Sequence, residues 1–248
     1  MLTEHPRLKG LTIIVGLFAF GIAITAVLVW TGADLGWTSE FYGQGGANQG
    51  WIYGRETPWA QLYDYGEIPP FLLLAGALGL YVAAWLGRAR SEYKRACLVM
   101  ILTVVIGPGL LVNGILKEYW GRPRPVQVSE FGGEFKYQKP WEMGVSGRGK
   151  SFTSGHASIG FATSSAVALY PLHPALSVGA LVLGITYGIV MGVARVAQGG
   201  HFPSDVLWSG IIVLILVTAL YYLVFRIPEH QTPRKTRADR LGDPANGP

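Results

Sequence analysis

The chain has 248 residues, half of them apolar and only 14% charged, with a formal net charge of +5. With a mean hydropathy of +0.33, this balance excludes an ordinary soluble domain and fits a polytopic membrane protein. Its basic residues form no stripe with interleaved aromatics and border apolar runs instead, which points to a membrane surface rather than nucleic acid. The single cysteine, Cys97, excludes an intrachain disulfide and reads as a small apolar residue at the start of a helix.

Six mostly apolar runs of spanning length, about 20 residues, follow in chain order at 11–30, 69–86, 96–116, 155–172, 175–193 and 205–225. Arg7 and Lys9 before the first run could mark a signal peptide. The run is long, however, and no small-x-small cleavage site precedes Asp34, so a retained span is expected. Ser158, Thr163, Ser164 and Ser165 dilute the fourth run, as suits a helix packed inside a bundle. The expected fold is all-α: six transmembrane helices in a single domain over 1–227, with outer loops 32–67 and 117–154. A polar tail at 228–248 is expected to be disordered.

Orientation follows from lysine and arginine placement. Arg7 and Lys9 precede the first run, Arg88, Arg90, Lys94 and Arg95 link the second and third, and Arg226, Arg234, Lys235, Arg237 and Arg240 follow the sixth. Arg55 alone lies between the first two runs. Both termini are therefore expected in the cytoplasm. The outer loop after the third run nevertheless holds Lys117, Arg122, Arg124, Lys136, Lys139, Arg148 and Lys150, and binding an anionic ligand is the simplest reason. Trp37, Phe41, Tyr42, Trp51, Trp59, Tyr63 and Tyr65 crowd the first outer segment and read as an interfacial anchoring belt before a substrate-gripping surface.

Three polar islands carry the chemistry: Lys117-x6-Arg124-Pro125, Thr153-Ser154-Gly155-His156 and Arg195-x5-His201-x3-Asp205. In the expected topology all three lie on the outer face. Pro123 and Pro125 stop the helix after Trp120, so Arg124 can return toward Lys117. Ser154 is a natural N-cap, Gly155 admits an anion to the free amides, and His156 follows in the first turn. A carboxylate at Asp205 near one nitrogen of His201 would fix the tautomer and leave the other nitrogen free to attack. Taken singly, each island also has a plain reading, as snorkelling cations or a capping turn. His201 and Asp205 could be half of a metal site, but no third ligand stands at suitable spacing and the cations oppose a divalent ion. No metal or cofactor is expected.

These islands resemble the three signature motifs of the type 2 phosphatidic acid phosphatase family, Lys-x6-Arg-Pro, Pro-Ser-Gly-His and Ser-Arg-x5-His-x3-Asp, a family that shares its fold with vanadium haloperoxidases. The resemblance covers Lys117 to Asp205, with Thr153 in place of the usual Pro and Ala194 in place of the usual Ser. Thr153 keeps a capping residue, while Ala194 removes one hydroxyl from the phosphate pocket. The resemblance implies that His201 is a nucleophile forming a phosphohistidine, that Asp205 orients it, and that His156 is the general acid. It further implies that Lys117, Arg124 and Arg195, with Ser154 and the Gly155 amide, hold the phosphoryl oxygens, fixed donors being the main requirement of such chemistry.

A narrower similarity, to the lipid A phosphatase branch, rests on Gly107-Pro108-Gly109-Leu110, Trp120-Gly121-Arg122-Pro123-Arg124-Pro125-Val126, Phe131-Gly132-Gly133 and Gln198-Gly199-Gly200-His201-Phe202. It implies removal of the 1- or 4′-phosphate of lipid A on the outer face of a bacterial inner membrane. The expected partners are a phosphorylated membrane lipid and the bilayer, with no nucleic acid and no obligatory protein partner. Undecaprenyl pyrophosphate, phosphatidate and phosphatidylglycerophosphate are alternative substrates. A lipid-binding or transport protein and a vanadate-dependent haloperoxidase are the alternatives of other classes.

Overall fold

The computed structural model describes residues 5–43, 50–51 and 53–227, and the tail expected to be disordered lies outside them. The fold is all-α, and the described residues contain isolated bridges but no strand. Five helical segments are long and apolar enough to cross a membrane. The first is α1 (Pro6–Trp30), followed by the short α2 (Ala33–Ser39). Next, α3 (Trp59–Tyr65) runs into α4 (Ile68–Trp85). The third segment joins α5 (Tyr93–Val104), a π-helical stretch (Val105–Leu116) and one turn, α6 (Lys117–Tyr119). Pro108 lies inside that stretch, where a missing N–H disfavours regular winding, and Asn113 Nδ2 donates to its carbonyl at 2.7 Å.

The run expected at 155–172 does not form a sixth long helix. It begins as α7 (Gly155–Ala162) and tightens into a 3-10 helix (Thr163–Leu169). The hydroxyls that dilute its hydropathy explain the winding. Ser158 donates to the Gly155 carbonyl, Thr163 to Gly160 and Ser165 to Ala162, each three residues back, and such local bonds compete with regular α-helix. All of α7 except His156 is buried, so it is sheltered by protein rather than by lipid. It packs on α8 (Pro174–Ala197), the fourth long helix. There a Cβ on Gly160 would stand 2.9 Å from Gly188 Cα, and one on Gly184 or Gly188 would strike the Ser164 backbone or the Phe161 ring. Small residues thus let the two backbones approach.

The fifth long segment is α9 (Pro203–Thr218) with its π-helical end (Ala219–Val224), and α9 lies against α1, α7 and α8. Between α6 and α7 the chain makes a strap, irregular apart from two single 3-10 turns (Pro125–Gln127 and Ser129–Phe131), that folds back over the bundle. Gly144 donates to the Trp120 carbonyl, Ser151 to Arg122 and Val126 to Gly199, at 2.9, 3.0 and 3.1 Å. Val128, Phe131 and Phe202 form the core beneath the strap, with Tyr42, Trp51 and Tyr137 packed against them.

Candidate active site

The site is built where the strap, the start of α7 and the α8–α9 turn meet. Ser154 caps α7, its Oγ accepting from the Ala157 amide at 3.4 Å. A Cβ added to Gly155 would stand 2.6 Å from Lys117 Nζ and 2.7 Å from Asn113 Oδ1. The Lys117 ammonium therefore sits directly over the N-terminus of α7, where free amides already favour an anion. Arg195, in the last turn of α8, lies with its Cζ 4.6 Å from the centre of the Tyr63 ring. One of its Nη atoms donates to Gln198 Oε1, and another would stand 2.5 Å from a Cβ on Gly200. The backbone amide of Arg124 is held by Gln127 Oε1 at 2.9 Å. Among the described residues, the buried Nε atoms of both Arg124 and Arg195 have no acceptor, as expected of forks reserved for an anionic ligand.

His201 is 1% exposed. Its Nδ1 lies 2.6 Å from the Ser151 carbonyl, an acceptor only, so Nδ1 carries the proton and Nε2 keeps a free lone pair. Burial first, and then the charges of Arg195, Lys117 and Arg124, hold the ring well below the ordinary imidazole pKa of 6.5. All three cations thus act on one neutral histidine, which is the state that can attack.

Asp205 stands differently from the expected direct partner of His201. Its Oδ2 is 3.9 Å from Nδ1, beyond hydrogen-bond range. The carboxylate instead accepts from Ser151 Oγ at 2.6 Å, from the Phe202 amide at 2.9 Å and from Arg122 Nη1 at 2.6 Å. The cause is local: Asp205 is the third residue of α9 and reaches back to cap the helix start. It reaches the histidine through Ser151, whose hydroxyl it holds while the same residue's carbonyl holds the ring.

His156 is 24% exposed along its side chain, and its Nε2 lies 3.6 Å from Glu67 Oε1. Its ring stacks on Tyr63 with centroids 4.9 Å apart. Tyr63 and Glu67 come from the aromatic segment between the first two long helices, the one expected only to anchor. Trp37, Tyr63 and Tyr65 are all exposed, as a belt requires, but Tyr63 also touches both His156 and Arg195. Among the described residues, no three His, Cys, Asp or Glu side chains gather as a metal site would need. At the two positions that depart from the family motifs, Ala194 is buried, and Thr153 is buried with its hydroxyl unpaired among the described residues.

The structure therefore gathers Lys117, Ser154, Gly155, His156, Arg195, His201 and Asp205 at one end of the bundle, with Arg124 acting on the same histidine. Sequence reasoning missed Tyr63, Glu67, Ser151 and Asp34 as neighbours of this group, and gave Arg122 no role in it beyond a loop cation within the branch motif. A signal existed for two of them: Arg122 shares an Arg-Pro-Arg-Pro run with Arg124, and Asp34 is an acid directly after a span.

The chain is 31% identical over 220 residues to the lipid A 4′-phosphatase of Francisella tularensis subsp. novicida (strain U112), covering 88% of this chain and 98% of that protein. It is 34% identical over 134 residues to the lipid A 4′-phosphatase of Rhizobium leguminosarum, covering 54% of this chain and 57% of that protein. No solved structure matches it. Residues 92–229, which hold all three polar islands, match the PAP2 superfamily, and the chain belongs to that superfamily.

Proposed function

We propose that this protein is a bacterial membrane phosphatase that hydrolyses a phosphomonoester of lipid A, with the 4′-phosphate favoured by the names of its relatives. The carrying observation is a buried His201 whose Nδ1 faces the Ser151 carbonyl, leaving Nε2 free, with Lys117 seated over the start of α7; burial and the charges of Arg195, Lys117 and Arg124 favour its neutral form. In this reading Lys117, Arg124, Arg195, Ser154 and the Gly155 amide hold the phosphoryl oxygens. His201 Nε2 attacks phosphorus while the P–O bond to the lipid breaks, and His156 gives a proton to the departing oxygen. Burial and the charges of Arg195, Lys117 and Arg124 lower the His156 pKa to about 4, until the bound phosphate offsets those charges and lets the ring take up that proton. Water then attacks the phosphohistidine, the P–N bond breaks, and His156 takes the proton of the water. Residues 1–227 act as one membrane domain, with cytoplasmic termini and the site facing the periplasm, as the lysine and arginine distribution supports.

The test is purified protein in detergent, offered lipid A, undecaprenyl pyrophosphate and phosphatidate side by side, with products read by mass spectrometry. Loss of 80 mass units (one HPO3) from lipid A, absent in His201→Ala, is the expected result. Selective turnover of the isoprenoid pyrophosphate overturns the substrate, and undiminished phosphate release by His201→Ala overturns the chemistry.

A further inference from the structure

Behind His201 lies a buried ionic unit that the phosphatase reaction as written does not use. Arg122 is fully buried, and so is Asp34, 1% exposed, which comes from α2. Arg122 Nη2 donates to Asp34 Oδ2 at 2.8 Å, and Nη1 to Asp205 Oδ1 at 2.6 Å and to Ser204 Oγ at 2.8 Å. Its Nε donates to the Gln138 carbonyl at 3.0 Å, and Phe202 lies under the guanidinium at 4.5 Å. Asp34 accepts in addition from the Ser204 amide, Ser204 Oγ and Tyr137 OH, each at 2.8 Å.

These bonds close a ring of Arg122, Ser151 and Asp205, to which the nucleophile is tied through Ser151. The Arg122 carbonyl accepts from the Ser151 amide at 3.0 Å, and the Ser151 carbonyl binds His201 Nδ1. Ser151 Oγ binds Asp205 Oδ2, and Asp205 Oδ1 returns to the Arg122 guanidinium. Arg122 thus fixes Ser151 with its backbone and Asp205 with its side chain. Asp34 fixes Arg122 and the Ser204 amide in the first turn of α9 from outside the ring. We propose that Asp34 and Arg122 are positioning residues, which set the direction of the His201 ring by locking Ser151 and Asp205 to each other.

Two arguments favour positioning over plain stabilisation. A buried ion pair stabilises a fold little more than apolar side chains of the same volume would, whereas its short bonds fix distance and direction closely. The unit also holds two carboxylates to one guanidinium, so one negative charge is left over behind a histidine that becomes cationic when it takes up a phosphoryl group. Asp34→Asn keeps the shape but removes that surplus, leaving Asp205 fully engaged by Arg122.

The inference rests on the reading of His201 as the nucleophile, and the experiment separates the two. Wild type, Asp34→Asn and Tyr137→Phe are purified and compared by steady-state kinetics on lipid A, by alkali-quenched single-turnover capture of the acid-labile phosphohistidine, by inhibition with inorganic vanadate, and by thermal melting. Asp34→Asn should lower kcat at least tenfold and slow phosphohistidine formation in the same ratio. KM and the vanadate inhibition constant should stay within twofold, because Lys117, Arg124, Arg195 and the α7 start are untouched. Tyr137→Phe removes one donor to Asp34 and should give a smaller fall, about two- to fivefold in kcat, which keeps the test open if Asp34→Asn does not fold. Unchanged kcat in either folded variant overturns the proposal, as does loss of vanadate inhibition in step with melting, the signature of a general scaffold. Wild type that releases no phosphate and forms no phosphohistidine overturns instead the functional reading beneath it.

Discussion

Gly155→Ala is the sharpest probe of the anion site, because it separates the site from the fold. The residue is helical, at the first position of α7, so alanine fits its backbone, and alanine in a helix is favoured over glycine by about 1 kcal/mol. The new methyl carbon would stand 2.6 Å from Lys117 Nζ and 2.7 Å from Asn113 Oδ1, so one of them must move. Asn113 is tied down by its amide donating to the Pro108 carbonyl at 2.7 Å, whereas the lysine ends a flexible stem. Lys117 therefore gives way, and its ammonium leaves the position above the α7 amides. A hydrogen bond involving a charged group is worth about 1.5–3 kcal/mol, which corresponds to about 10- to 150-fold in rate. The expected result is kcat/KM on lipid A reduced by that factor, with a melting temperature at or above that of wild type. Activity within twofold of wild type in a folded variant would show that the ammonium is not used where the structure puts it, and would refute the reasoning.

Tyr63→Ala removes both the stacking surface of His156 and the ring beneath Arg195. Each contact is worth about 0.5–1 kcal/mol, so a loss of about 5- to 30-fold in kcat/KM is expected. Tyr63→Phe keeps the ring and should stay within about threefold of wild type; equal losses in the two variants would assign the effect to the hydroxyl. A pH dependence follows from His201, whose folded pKa is depressed below 6.5. Below that value the unfolded chain binds a proton that the folded site refuses, so stability falls with decreasing pH until the folded pKa is reached. Melting curves of wild type and His201→Gln between pH 8 and pH 5 should therefore diverge in this direction, wild type losing more. A constant difference across the range would show that His201 is not held neutral.

The three islands could be read from the sequence because each packs its chemistry into a few neighbouring residues, and because helix ends follow from Pro and Gly placement. The α7 start illustrates this: Ser154, Gly155 and His156 are adjacent, so a cap, an open amide and an acid arrive together. The fate of 155–172 was not readable from hydropathy. Averaging registers Ser158, Thr163 and Ser165 as dilution, but not the bonds each makes three residues back. Asp205 misled for a related reason. Its four-residue spacing from His201 suggests a direct pair, yet its position in α9 commits one oxygen to the Phe202 amide and Ser151, and Arg122 takes the other. Asp34 and Arg122 meet across 88 residues, so an acid soon after a span and an Arg-Pro-Arg-Pro run each draw attention without announcing the meeting. Tyr63 and Glu67 reach His156 in the same long-range way, from a segment whose aromatic density has a sufficient explanation at the membrane surface.

The sheltered α7 segment has a consequence for biogenesis. Its short, hydroxyl-bearing helix is a poor candidate for release into lipid by itself, and Gly160, Gly184 and Gly188 join it closely to α8. The 155–197 hairpin is thus best inserted as a unit, and the turn bearing Ser154 and His156 takes shape only once α8 is beside it. Because Arg195 ends that same helix and His201 follows it directly, an incompletely inserted chain holds the pieces of the centre apart. Catalysis then becomes a readout of finished assembly, and a stalled intermediate cannot attack phosphorylated lipids in the membrane that receives it.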